Sequence, residues 1–144
     1  MNTTANTEVN IEMQLKAIEL LNNAIILPPN ANTPITNFNF NINIESKVDA
    51  TKNLVFVIVN VEIKNDDQSL TVGSISVSCV YEIFNFNEVI KLDGDGRINI
   101  PPKLVETLNI ISISTTRGVM YSTYKGTFLH NAFLPIIDPK MLIS

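Results

Sequence analysis

The chain has 144 residues, 45% of them hydrophobic and only 17% charged, with a formal net charge of −4. Little charge combined with high hydrophobicity excludes charge-rich disorder, and ten Lys and Arg scattered along the chain supply no patch for general nucleic-acid binding. No apolar run approaches the 18 or more residues of a membrane-spanning helix.

Residues 1–9 are polar and are expected to be a flexible N-terminus; 10–144 read as one domain. No basic stretch leads into an apolar one at the start, so a secretory signal is not expected, and the mild negative charge fits a cytoplasmic protein. Residues 11–27 read two ways. Ile11, Met13 and Leu15 alternate as in a strand, whereas Leu15 and Ile18, among the good helix formers Lys16, Ala17, Glu19 and Leu20, suit a helix. Taken alone, the stretch leans to helix. Pro28-Pro29 stops either element, and 28–36 form a Pro/Asn/Thr loop.

Three strands follow. Phe38, Phe40, Ile42 and Ile44 alternate with Asn37, Asn39, Asn41, Asn43 and Glu45, giving one apolar and one polar face. Residues 54–64 are apolar on both sides at first and then alternate, as in a strand covered on both faces. Residues 70–86 alternate again. The connections at 49–53 and 65–68 are short, which predicts antiparallel hairpins. Residues 91–97 are assigned to a loop.

Pro101-Pro102 opens a helix predicted over 102–125, with Gly126 at its C-terminal cap. Spacing at 100° per residue gives two apolar stripes. Leu104, Val105, Leu108, Ile111 and Val119 make one; Ile110, Ile113, Met120, Tyr121 and Tyr124, around Arg117, make the other. The sheet covers one stripe, and a second subunit is predicted to cover the other. Residues 127–137 are apolar without periodicity, and Asp138-Pro139 is placed to cap a short last helix.

Signals for chemistry are weak. Asp93-Gly94-Asp95-Gly96 is reminiscent of a calcium loop, but the twelfth position from Asp93 is Leu104, not the required Glu. His130, the single histidine, lacks the three further ligands of a zinc site and any nucleophile motif. The five glycines form no phosphate loop. Cys79 can form no internal disulfide and reads as a small buried hydrophobe. No catalytic residue, metal or cofactor is expected. The unusual feature is apolar excess at Ile25, Ile26 and Leu27 and at Phe128, Leu129, Phe133, Leu134, Ile136 and Ile137.

Asn109-Ile110-Ile111 runs without a gap into the helix end Tyr124-Lys125-Gly126-Thr127-Phe128, with Pro135 beyond, and Pro29-Asn30-Ala31 follows the first apolar stretch. In these motifs, and in the order of its elements, the chain resembles the SecB-type protein-export chaperones. The resemblance implies an α+β fold: a four-stranded antiparallel sheet, one long C-terminal helix on one face, and a short final helix or turn. It implies an irregular strand at 11–27, preferred here over the helix. It also implies homo-oligomers built as dimers or dimers of dimers, and ATP-independent holding of unfolded polypeptide in apolar grooves. The client contacts are then assigned to Ile25, Leu27, Ile35, Phe38, Phe128, Phe133 and Leu134, and the oligomer interface to Ile110, Ile113, Arg117, Met120, Tyr121 and Tyr124. The family carries an acidic face for the export motor SecA; here that face shows Asn37, Asn39, Asn41 and Asn43 with only Glu45 acidic, so electrostatic steering to SecA is expected to be weak and the SecA contact is doubtful. Neither nucleic acid nor membrane insertion is expected. The alternatives are a non-enzymatic adaptor or dedicated single-client chaperone, for example of a toxin–antitoxin or phage-related system, and an enzyme using His130 or the Ser/Thr residues of the helix.

Overall fold

A computed structural model describes residues 10–29, 35 and 37–138. The assignments made to residues 1–9, to most of the 28–36 loop and to a helix beyond Asp138 lie outside the described residues. The elements in chain order are β1 (Met13–Ile25), β2 (Asn39–Asp49), β3 (Leu54–Lys64), β4 (Thr71–Ile83), α1 (Phe86–Val89), β5 (Lys91–Leu92), β6 (Ile98–Asn99) and α2 (Pro102–Tyr124). Thus 11–27 does hold a strand, despite its helix formers. The 91–97 loop closes instead as a small hairpin of β5 and β6, and α1 is a single turn that periodicity did not announce.

The four long strands form one antiparallel sheet in the order β1-β4-β3-β2. Two side-chain-capped turns set the hairpins. Between β2 and β3, Asp49 accepts hydrogen bonds from the Thr51 hydroxyl (2.6 Å) and amide (3.1 Å), and the hydroxyl bond holds its carboxyl below the usual range. Between β3 and β4, Asp67 accepts from the Ser69 hydroxyl and amide in the same way, with the same effect on its carboxyl. Asn53 and Gln68 take the left-handed conformation that these turns require.

The alternation seen in the sequence becomes two faces. Val55, Val57, Val59, Val61 and Ile63 of β3 and Ile75, Val77, Cys79, Tyr81 and Ile83 of β4 are buried beneath α2. On the other face, the β2 asparagines stand beside half-buried residues of β3. β4 is buried along nearly all its length because strands flank it on both sides. β1, by contrast, is an edge strand, mostly exposed, and Lys16 and Leu21 are bulged out of its ladder with β4.

The two predicted stripes of α2 are corrected by the structure. Leu104, Leu108, Ser112, Thr116, Met120 and Tyr124 are buried, together with Asn109 and Ile113. Residues four apart drift by about 40° per step, so this row winds from the first predicted stripe into the second. Ile113, Met120 and Tyr124 therefore belong to the core of the chain, and Val105, Ile111 and Val119 are only half-buried. Small residues at the middle of the row make room for bulk from the sheet: the Tyr81 hydroxyl lies 2.7 Å from Ser112 Oγ. Thr116 satisfies its own hydroxyl by donating to the Ser112 carbonyl at 2.7 Å. At the far end, the Tyr124 hydroxyl donates to the Ser74 carbonyl at 3.1 Å.

Candidate functional site

Of the apolar residues singled out from the sequence, Ile25 and Leu129 meet at one end of the sheet. Ile25 of β1 pairs with Gly73 of β4, Gly73 with Ile63 of β3, and Ile63 with Phe40 of β2, so four positions form one row across the sheet. Gly73 is a gap in that row, and Leu129 fills it. A Cβ at position 73 would lie 2.7 Å from Leu129 Cδ1. Leu129 is delivered there by the turn after α2. Gly126 adopts φ +84°, Thr127 bonds the Tyr124 carbonyl through both its amide and its hydroxyl, and the same hydroxyl accepts from the Leu129 amide.

Around this row, the chain leaves β1 through the Ile26 amide, which still bonds the Val72 carbonyl at 3.0 Å. Leu27, next in line, is 75% exposed. Where the chain returns, the Asn39 side-chain amide donates to the carbonyls of Asn65 and Asp66, and the Asn37 amide donates to Asp66 Oδ1. The crossover thus lands against the β3–β4 turn. Ile35, Phe38 and Phe128 are half-buried against the core.

The seven proposed contacts therefore divide. Ile25, Leu27 and Phe133 are exposed, Ile35, Phe38 and Phe128 are half-covered, and Leu134 is 3% exposed. Leu134 is a core anchor of the segment that carries Phe133. Of the helix residues assigned to an interface, Ile110 and Tyr121 face out. Arg117 lies against its own chain: Nε donates to the Leu134 carbonyl and Nη2 to the Pro135 carbonyl, both at 2.9 Å. Tyr121 stacks on Phe133 with ring centroids 6.2 Å apart and planes 18° from parallel. Gly73 and Leu129 were not assigned to the site from sequence, although a glycine inside an alternating strand is a signal of close approach.

Described residues also line hollows elsewhere. One, of about 530 Å³, lies at the opposite end of α2 and is lined by Ile11, Met13, Val89, Pro101, Leu104 and Thr107 with Glu88 and Lys103. The other, of about 320 Å³, is on the polar side of the sheet among Asn41, Asn43, Asn60, Glu62, Ser74 and Ser76. Its polar groups largely bond one another: Ser76 donates to Asn60 Oδ1 at 2.6 Å and Asn41 to Glu62 Oε1 at 3.3 Å.

Groups with latent reactivity are engaged or covered. His130 lies on the surface with Nδ1 2.8 Å from the Thr127 carbonyl, which requires the proton on that nitrogen. Cys79 is buried and its thiol is pushed up by burial. Asp93 Oδ1 accepts from the amides of Asp95 and Arg97, both at 2.9 Å, closing the small hairpin. Among the described residues, no group of three or more His, Cys, Asp or Glu side chains could hold a metal ion. No described helix is long and apolar enough to cross a membrane.

No protein-family model and no curated protein matches the sequence. Among solved structures, the chain is similar to a Mycobacterium tuberculosis SecB-like chaperone in complex with a ChAD peptide from the HigA1 antitoxin. The TM-score is 0.56 at 15% identity, over 88% of this chain and 90% of that one. It is also matched to a Streptococcus agalactiae protein of unknown function, with a TM-score of 0.36 at 14% identity over 81% and 90% of the two chains. The first likeness shows that the chain has a SecB-like fold.

Proposed function

We propose, from this SecB-like fold, that the protein is a non-enzymatic, ATP-independent chaperone that holds unfolded or nascent polypeptide against exposed apolar surface in the cytoplasm. The observation that carries the reading is the run Ile25-Ile26-Leu27, exposed where an edge strand leaves the sheet. Apolar side chains beside unpaired backbone groups bind an extended chain without regard to its exact sequence. Phe133 is likewise exposed, and Phe38 and Phe128 are half-covered.

The working form is a homo-oligomer. Leu15, Ile18, Leu20 and Leu21 lie exposed along the free edge of β1, and Ile110 and Tyr121 lie exposed on the outer side of α2. Two separate exposed apolar surfaces are what a dimer of dimers needs. A single dedicated client is the second reading. The neutral asparagine face of β2 favours it over general export, as does the antitoxin peptide carried by the M. tuberculosis neighbour.

The test is solution mass by light scattering, alone and with a reduced, carboxymethylated unfolded protein as client. Wild type is expected to run as a dimer or tetramer and to form a soluble complex. Ile25→Asp with Leu27→Asp, both at exposed positions, is expected to keep the fold and lose the complex. A folded double variant that holds the client as wild type does would end the assignment.

A further inference from the structure

We propose that Arg117 is a positioning residue for this surface, latching residues 132–137 to α2 so that Phe133 is presented to the client; the inference rests on the chaperone reading. Residues 132–138 belong to no helix or strand. Over 132–134 the side chains alternate, with Ala132 buried, Phe133 51% exposed and Leu134 buried. A segment outside helix and sheet lacks the ladder donors that ordinarily satisfy backbone carbonyls. Arg117 supplies donors for two of them, its fork donating to the adjacent carbonyls of Leu134 and Pro135 at 2.9 Å each. A planar guanidinium can serve two fixed acceptors at once, whereas a lysine ammonium is a point charge on a flexible stem. One turn further along α2, Tyr121 stacks on Phe133 and sets the direction in which that ring points. The helix thus holds the segment by backbone at one point and by side chain at the next, and neither hold covers the outer half of the Phe133 ring.

The experiment is a double-mutant cycle on the full chain, with affinity for the fluorescein-labelled, carboxymethylated unfolded protein as one readout. Chymotrypsin cleavage after Phe133 under native conditions is the other. Arg117→Ala and Phe133→Ala are each expected to weaken binding by about tenfold. The double variant should be no weaker than Phe133→Ala alone, because Arg117 acts through that ring. Arg117→Lys, which keeps the charge, should recover less than half of the logarithmic loss. Cleavage should speed up in Arg117→Ala while the urea midpoint of the core changes little. Losses that multiply in the double variant, full rescue by lysine, or unchanged cleavage in Arg117→Ala would each overturn the latch. A wild type that holds no unfolded client would instead sink the chaperone reading, with the cleavage comparison still deciding whether Arg117 secures the segment.

Discussion

The contact between Gly73 and Leu129 makes the sharpest test of how the sheet and the turn after α2 are joined. Gly73 does not adopt positive φ, so alanine is allowed by the backbone and even favoured by about 0.5–1 kcal/mol through chain entropy. Space opposes it. The new methyl would sit 2.7 Å from Leu129 Cδ1, 3.3 Å from Ile63 Cδ1 and 3.4 Å from the Ala24 carbonyl oxygen. Leu129 is buried, so its methyl cannot swing into solvent, and overpacking of this kind costs about 1–3 kcal/mol. The expected net loss for Gly73→Ala is about 1–2 kcal/mol, read as a lower urea midpoint at unchanged slope and fixed protein concentration. Shortening the clashing side chain should undo much of it, so Gly73→Ala with Leu129→Val is expected to show about 1 kcal/mol of favourable coupling. A Gly73→Ala protein as stable as wild type, or strictly additive effects, would refute the idea that this glycine exists to admit Leu129.

Two further outcomes follow from local geometry. Gln68→Gly, at φ 62° in the β3–β4 turn, should raise stability by about 0.5–1 kcal/mol in the same urea assay, since a side chain is penalised there; a lower midpoint would contradict it. Burial pushes the Tyr124 hydroxyl up to about 12 and that of Tyr81 upward as well. A pKa raised on folding means that this stability is complete below about pH 10, where unfolded tyrosine begins to ionise, and is lost as pH climbs through about 12. Phenolate absorbance at 295 nm should therefore grow together with loss of helical circular dichroism, and full tyrosine ionisation with the fold intact would count against the buried hydroxyls.

Local patterns in the sequence were legible where one face of an element meets one kind of neighbour. Phe40, Ile42 and Ile44 alternate with asparagines because β2 has the core on one side only. Pro101-Pro102 and Gly126 bracket α2 for backbone reasons that need no tertiary context. What depends on remote partners was less legible. The pairing of β1 with β4 joins distant parts of the chain, and Lys16, Ala17 and Glu19 pull locally toward helix while the sheet overrides them. The stripes of α2 failed because Ser112 and Thr116 do not register as apolar, yet both are buried, Ser112 against Tyr81, which supplies the bulk. Within the candidate surface, Phe133 and Leu134 looked equivalent as apolar residues. Their opposite burial comes from a period-2 segment only three residues long before Pro135, too short to show as periodicity.

The strand order has a consequence for how the chain comes together on the ribosome. β2, β3 and β4 are joined by short hairpins and can pair as they emerge, whereas β1, made first, has its hydrogen-bonding partner made last among the four. Until β4 is complete, the aliphatic residues of β1 have nothing in their own chain to lie against, and closing that loop carries an entropic cost the hairpins avoid. The strand is thus the late-docking element of its sheet and the one whose amides should exchange soonest in the finished protein. During its own synthesis, the molecule displays the same kind of extended, apolar segment that its surface is proposed to hold.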